Sequence, residues 1–302
     1  MNFKKLTYMW IAEKKMSVKP TTMALYVYLS EHYLIPLMGS KEKITKEDVT
    51  GIMDFCVQSK FRKNTISSVM SVLKMILRYG EKKELCDYVA FPEKIICSQK
   101  KDVPNVLAKK EEKKLLDYII KGNNIMDIGI LISITSGLRI GEVCGLQIGD
   151  INVSRRCCSI NRTVSQSYNN KKHCTDIVLS TPKTANSQRV VPIHATLMDM
   201  LKTYLQQCPD YYVLTQSSVP LNPNYMRAHL KKTLRRLNLP QIRFHALRHT
   251  FATRCVEAGC DVKTLSSILG HSSVQVTLNL YVHPTIEQKR QCLNNMMKTL
   301  YS

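Results

Sequence analysis

Apolar residues recur at helical spacing on both sides of one polar stretch, SQKKDVPN (residues 98–105), and this division restricts the fold more than any other feature. The stretch is closed by Pro104 and reads as a linker. Residues 1–97 read as helical. Thr21 or Thr22 can cap a helix carrying Met23, Leu25, Tyr26, Leu29 and Tyr33, closed by Pro36 and Gly39. Thr45 opens a second helix through Val49, Ile52, Met53 and Val57. Glu47 and Asp48 fall in its first turn, where carboxylates meet the positive end of the helix dipole. Asn64 begins a third, with Ile66, Val69, Met70, Leu73, Ile76 and Leu77 on one wide face and Lys74 and Arg78 off it. No cluster of reactive side chains falls in this block, which reads as a small helical binding domain.

The second block changes period. A helix over 108–120 and a buried helix over 124–136 are expected, the latter capped by Gly137. Three strand-like stretches follow at 157–164, 176–180 and 189–193. Helices return at about 195–206, 223–237, 245–258, 261–269, 274–282 and 285–299. The expected fold is mainly α with a small antiparallel β-sheet (α+β): a helical domain over 1–97, a linker over 98–105 and a second domain over 106–302.

Charge points to a partner. The chain carries 44 Lys+Arg against 23 Asp+Glu, a formal net charge of +21, and the excess runs through both blocks rather than a tail. A long basic surface of this kind suits a polyanion. The 11 cysteines are odd in number and form no CxxC pair, so they read as small apolar fillers in a reducing cytoplasm. The longest apolar run, residues 125–134, contains Asp127 and is too short to span a bilayer, so no membrane partner is expected. No glycine-rich phosphate loop and no compact carboxylate cluster is present, so neither a cofactor nor a metal is expected.

Six polar residues carry the chemical signal: Arg139, Lys183, His245, Arg248, His271 and Tyr281, in the segments TSGLRIGE, STPKTANSQR, HALRHTFAT, LGHSS and LNLYVH. Each has a plain structural reading by itself. Arg139 can form a surface ion pair with Glu142, three residues on. Lys183 can be a solvated hairpin tip. His245 and Arg248, three apart on one helical face, can belong to a structural network, with His249 pointing elsewhere. His271 can be a loop histidine, and Tyr281 a packing residue. Together they make a cationic cage for a phosphodiester with an oxygen nucleophile beside it.

In that order, Arg…Lys…His-x-x-Arg…His…Tyr, the sequence resembles the tyrosine recombinase (phage integrase) family from about Val103 to the C terminus. The strongest blocks are TSGLRIGEVCGL, HALRHTFAT, LSSILGHSS and TLNLYVH. The resemblance implies a catalytic domain over 106–302 and a core-site-binding domain over 1–97, the two clamping DNA. It implies attack by Tyr281 on the scissile phosphate, giving a 3′-phosphotyrosine and a free 5′-hydroxyl. Arg139, Arg248, His245 and His271 would stabilise the transition state. Lys183 would protonate the leaving oxygen, His245 would help deprotonate the tyrosine, and Glu142 would support the site.

Further expectations follow from the family. The partners are double-stranded DNA recombination sites, with a homotetramer on two duplexes passing through a Holliday junction, and an accessory directionality factor. A C-terminal exchange helix over about 285–300 would dock on a neighbouring protomer. An arm-site-binding domain is expected to be absent. The reading is an integrase/excisionase of a bacterial mobile element, cytoplasmic and associated with the nucleoid. The alternatives are a Xer-like chromosome-dimer resolvase, a type IB topoisomerase-like nicking–closing enzyme, and an inactive DNA-binding relative.

Overall fold

The computed structural model describes residues 1–91, 106–122, 124–169, 174–180 and 188–281, together with positions 286, 290, 293, 294, 296, 297 and 300. The linker expected at 98–105 and Lys183 lie outside the described residues. The chain is mostly helical with small sheets, and it divides into two compact units. One is Met1–Lys101 with Gln166–Asp176, the other Asp102–Ser165 with Ile177–Ser302.

The first unit begins with α1 (Phe3–Lys14), whose N-terminus is capped by Asn2 accepting from the Lys5 N–H at 3.0 Å. It buries Phe3, Leu6 and Trp10. The next helix, α2 (Pro20–Leu29), starts earlier than expected, with Lys19 rather than Thr21 or Thr22 at the cap position. Pro20 occupies the first position, where its fixed φ suits the helix and its missing N–H leaves no orphan donor. Pro36 does not close this helix either. The chain widens into a π-helical turn (Ser30–Leu34) and continues as α3 (Ile35–Met38), with Pro36 in the first turn of α3. Pro36 lacks the N–H that would bond back into this turn, and the helix runs on through it.

Thr45 caps α4 (Lys46–Gln58) reciprocally: Asp48 Oδ2 accepts the Thr45 N–H at 2.9 Å, and Thr45 Oγ1 accepts the Asp48 N–H at 3.4 Å. The long helix α5 (Lys63–Lys82) buries Ile66, Val69, Met70, Val72, Leu73, Ile76 and Leu77 along one stripe and joins α1, α2 and α4 in a single apolar core.

The second unit is built on α7 (Ile125–Ser136), which is buried on every side, with α6 (Lys109–Lys121) packed against it. Asp127 inside this helix is paired with His229 Nε2 at 2.7 Å, on α10 (Pro223–Arg236). Gly137 ends α7 with φ 67°, and a side chain there would bring Cβ to 2.6 Å from Phe251 Cδ1. Both the left-handed turn and the close approach demand glycine.

The sheets are small. In chain order they use β1 (Ile151–Asn152), β2 (Cys157–Ile160), β3 (Thr163–Asn169), β4 (Cys174–Ser180) and β5 (Arg189–Pro192). The strands β1, β2 and β5 form an antiparallel sheet in that order, with Cys158 opposite both Ile151 and Val191; β3 pairs with β4 in a second sheet. The expected strand 157–164 is therefore two strands. The chain breaks at Asn161 and Arg162, whose side chains both bind the Asp150 carboxylate. Besides α10, the described residues after β5 include α9 (Ala195–Lys202), α11 (His245–Glu257), α12 (Val262–Leu269) and α13 (Val274–Tyr281). The helix expected to reach residue 206 stops at Lys202.

Candidate active site

The site grows from the start of α8 (Ile140–Cys144). A Cβ on Gly141 would collide with Thr163 Oγ1 and the Val164 carbonyl, so glycine lets this helix press on β3. Glu142 is 4% exposed and is not half of a surface pair. Its Oε2 accepts the Arg139 N–H at 2.9 Å, and its Oε1 accepts from Arg139 Nη1 at 2.8 Å. Arg189, on β5, clamps the same carboxylate from Nη1 at 3.0 Å and Nη2 at 2.9 Å. Burial pushes the Glu142 carboxyl up. The hydrogen bonds and charges of Arg189 and Arg139 outweigh burial and hold it below the usual carboxylate range.

The three guanidiniums then converge on one feature, the carboxyl end of α12. Arg189 Nε donates to the Ile268 carbonyl at 2.6 Å, Arg248 Nη2 to Leu269 at 2.7 Å and Arg139 Nη2 to Gly270 at 3.1 Å. These carbonyls have no helical partner and carry the negative end of the helix dipole. Arg248 Nη1 also donates to Gly137, the cap of α7, at 2.7 Å. Arg248 is 1% exposed; burial and the neighbouring Arg139 push its pKa down to about 9, which leaves it charged at neutral pH. Three guanidiniums thus gather around one buried carboxylate, which binds Arg139 and Arg189 directly, and the surplus positive charge suits a phosphodiester.

Gly270 turns left-handed (φ 63°) at the end of α12 and delivers His271, whose Nδ1 bonds Thr277 Oγ1 at 2.8 Å. Burial, then Arg248 and Arg139, hold the His271 pKa down to about 4. His245 opens α11 and keeps an exposed edge. The protein packed around the rest of its ring, then His249, Arg248 and Arg139, bring it down to about 4 as well. Both imidazoles are therefore neutral at pH 7 until an anion arrives.

Tyr281 is the last residue of α13, 8% exposed, and packs on Ala252, Leu265 and Leu269. Its ring lies parallel to His271, 6.4 Å between centroids at 6°. Its hydroxyl meets His249 Nδ1 at 2.6 Å. The expectation that His249 points elsewhere is therefore wrong. The sequence carried the signal: His245 and His249 are four apart, the other spacing that shares a helical face, and their rings sit 4.6 Å apart.

Arg139, Glu142, His245, Arg248, His271 and Tyr281 come together in this unit, and Arg189 and His249 join them unforeseen. Arg189 was legible too: it alternates with the buried Val191 along β5, which puts a basic side chain on the inward face. An open cavity of about 500 Å³ beside the cage is lined by Arg189, Lys263, Ser266, His271 and Ser273 among others. Among the described residues, no group of three or more His, Cys, Asp or Glu is placed to hold a metal. Burial pushes the Cys144 and Cys158 thiols up to about 12, which makes them inert packing groups.

Known proteins resemble this chain over most of its length. The sequence profile of the phage integrase family matches residues 105–288. A XerC-like tyrosine recombinase of Caldanaerobacter subterraneus is 29% identical, the alignment covering 96% of this chain and 81% of that protein. The transposase of transposon Tn916 from Enterococcus faecalis is also 29% identical, over 60% of this chain and 48% of its own length. The Tn1549 transposon integrase, solved with a circular intermediate DNA, superposes with a TM-score of 0.79 at 20% identity and covers 98% of this chain and 99% of that one. The chain belongs to the phage integrase family, the tyrosine recombinases, which are DNA strand-transferring enzymes.

Proposed function

We propose that this chain is the site-specific recombinase of a mobile element, cutting and rejoining double-stranded DNA at recombination sites through Tyr281. The observation that carries this reading is the convergence of Arg139, Arg189 and Arg248 on the last carbonyls of α12, with the His271 and Tyr281 rings stacked beside them. The Tyr281 oxygen attacks phosphorus in line. Arg139, Arg248, His245 and His271 donate to the non-bridging oxygens as charge builds on them. Glu142 fixes Arg139 and Arg189 in place. The 5′-oxygen leaves with a proton from Lys183, and a 3′-phosphotyrosine remains. A 5′-hydroxyl from the partner strand reverses these steps, so the phosphodiester energy is conserved and no ATP is consumed.

Exchange between two duplexes needs four protomers and passes through a Holliday junction. The described positions beyond α13 include Ile286, Leu293, Met296, Met297 and Leu300, all exposed. That unpartnered apolar set supports docking of the tail on a neighbouring protomer. The Tn1549 structures, on circular-intermediate and transposon-end DNA, and the Tn916 relative support a mobile-element substrate. We place the reaction in the bacterial cytoplasm, on nucleoid DNA, with an accessory factor setting its direction. A second reading, a Xer-like resolvase acting on a chromosomal site, is favoured by the XerC-like relative, which aligns over 96% of this chain.

A plasmid carrying two copies of the joined element ends tests the proposal. Wild type yields exchanged circles, and Tyr281→Phe yields none. Exchange on a chromosomal dimer-resolution site, but not on element ends, would favour the second reading. Relaxation without exchange would contradict both. Removing the residues after Pro284 should abolish exchange and tetramer formation; intact tetramers would overturn the docking role of the tail.

A further inference from the structure

Tyr281 needs to lose a proton to attack, and burial works against that loss. Its pKa is raised by burial, with Arg248 and Arg139 offsetting only part of the effect, so the phenol is protonated at neutral pH. A base within hydrogen-bond reach is required. The hydroxyl already has one partner, His249 Nδ1 at 2.6 Å. His245, which the family resemblance would make the helper, meets His249 edge-on at 83°.

We propose that His249 is the proton acceptor for the nucleophile: Nδ1 takes the hydroxyl proton of Tyr281 as the oxygen attacks phosphorus, and returns it when the phosphotyrosine bond breaks. This rests on Tyr281 being the nucleophile. In the forward step the Tyr281 O–H bond breaks, an N–H bond forms on His249, and the tyrosine oxygen uses its electron pair to form the O–P bond. The P–O5′ bond then breaks and its electrons leave on the 5′-oxygen, which Lys183 protonates. Religation runs the reverse, with the His249 proton delivered to the departing tyrosine oxygen.

The surroundings fit this role. His249 is half-buried, and burial together with Arg248 lowers its pKa, so the free ring is neutral with a lone pair available. The imidazolium formed on transfer would be costly beside Arg248 in the empty site. Bound phosphate gains negative charge at the same moment, so proton transfer and attack support each other. The two histidines of α11 then divide the work. His245 serves the phosphate oxygens, and His249, one turn on, serves the nucleophile.

The test uses the full chain and nicked DNA that traps the covalent adduct, with wild type, His249→Ala, His249→Asn and Tyr281→Phe compared. Asparagine keeps an acceptor near the Nδ1 position but holds no proton at neutral pH. A second substrate carries a bridging sulfur at the scissile 5′-position, whose thiolate leaves without a proton. Both His249 variants should bind DNA as wild type does but form the adduct about 10²-fold more slowly, the usual size of an acid–base contribution. The sulfur substrate should not restore them, because it relieves only the leaving-group side.

An Asn variant within about threefold of wild type would reduce His249 to a holding role and overturn the inference. So would full rescue by sulfur. If the Ala variant fails to fold, the Asn variant decides alone. Wild type that forms no adduct at Tyr281 overturns the proposed function itself, whereas equal adducts from wild type and His249→Asn overturn only this inference.

Discussion

In the first unit the buried side chains are apolar almost throughout, Phe3, Trp10, Leu34, Ile66, Leu73 and Ile76 among them, with Thr7 and Ser30 the polar members among the described residues. In the second, Asp127, Glu142 and Arg248 are buried beside an equally apolar cluster. An apolar core gains stability from each side chain removed from water and asks little of its exact orientation. A buried charge is tolerated only where every partner is supplied, so each one fixes the geometry around it. Glu142 orients two guanidiniums, and Arg248 ties the cap of α7 to the end of α12. Among the described residues, the first unit buries no charged side chain, whereas the second fixes several in one arrangement.

Substitutions can break that contrast. Glu142→Gln leaves Arg139 and Arg189 without their shared carboxylate, and removing one partner of a buried pair costs about 3–5 kcal/mol. Thermal unfolding should show this loss, and the folded fraction should also cleave poorly. Leu73→Ala in α5 should destabilise by about 3 kcal/mol, the cost of a buried cavity, while cleavage at saturating protein stays unchanged. A Glu142→Gln protein that is destabilised but cleaves normally would remove the distinction between the units.

Protonation sharpens the contrast further. His245 and His271 fall from 6.5 to about 4 on folding. Between these values the unfolded chain binds more protons, so stability falls as pH drops from about 6.5 towards 4. A phosphodiester in the cage raises both values again. DNA binding should therefore take up protons and tighten by about tenfold between pH 7.5 and 5.5, roughly 1.4 kcal/mol. Calorimetry in two buffers of different ionisation enthalpy measures the uptake, and none would contradict the cage. The smallest effect belongs to Thr45→Ala, which removes the cap of α4 and should cost about 1 kcal/mol with no change in cleavage.

Where the local rule acts alone, the sequence was readable. Thr45 with Asp48 three residues on is a cap whatever surrounds it, and Gly137 at the end of an apolar run is a turn glycine. The order Arg139, His245, Arg248, His271 and Tyr281 likewise told which residues meet. What failed depended on tertiary partners or on competition between adjacent signals. Thr21 and Thr22 lost the start of α2 to Pro20. Pro36 was absorbed by a π-helical turn that spacing does not announce. The expected strand 157–164 broke where Asp150 holds Asn161 and Arg162. The support that Glu142 gives the site was expected from the family, but its burial was not legible from its spacing to Arg139, because the second arginine that clamps it, Arg189, is 47 residues away. His249 was set aside because only the three-residue spacing was weighed, though four shares the face equally well.

A cage and a Tyr281 that form one device for breaking a DNA strand must leave a covalent trace. The most direct measurement is a denaturing gel of the protein with nicked DNA from the element ends, followed by mapping of the adduct. Wild type should give a covalent species attached at Tyr281 through a 3′-phosphate, and Tyr281→Phe should give none. Specific binding with no adduct, or an adduct that persists in Tyr281→Phe, would contradict it.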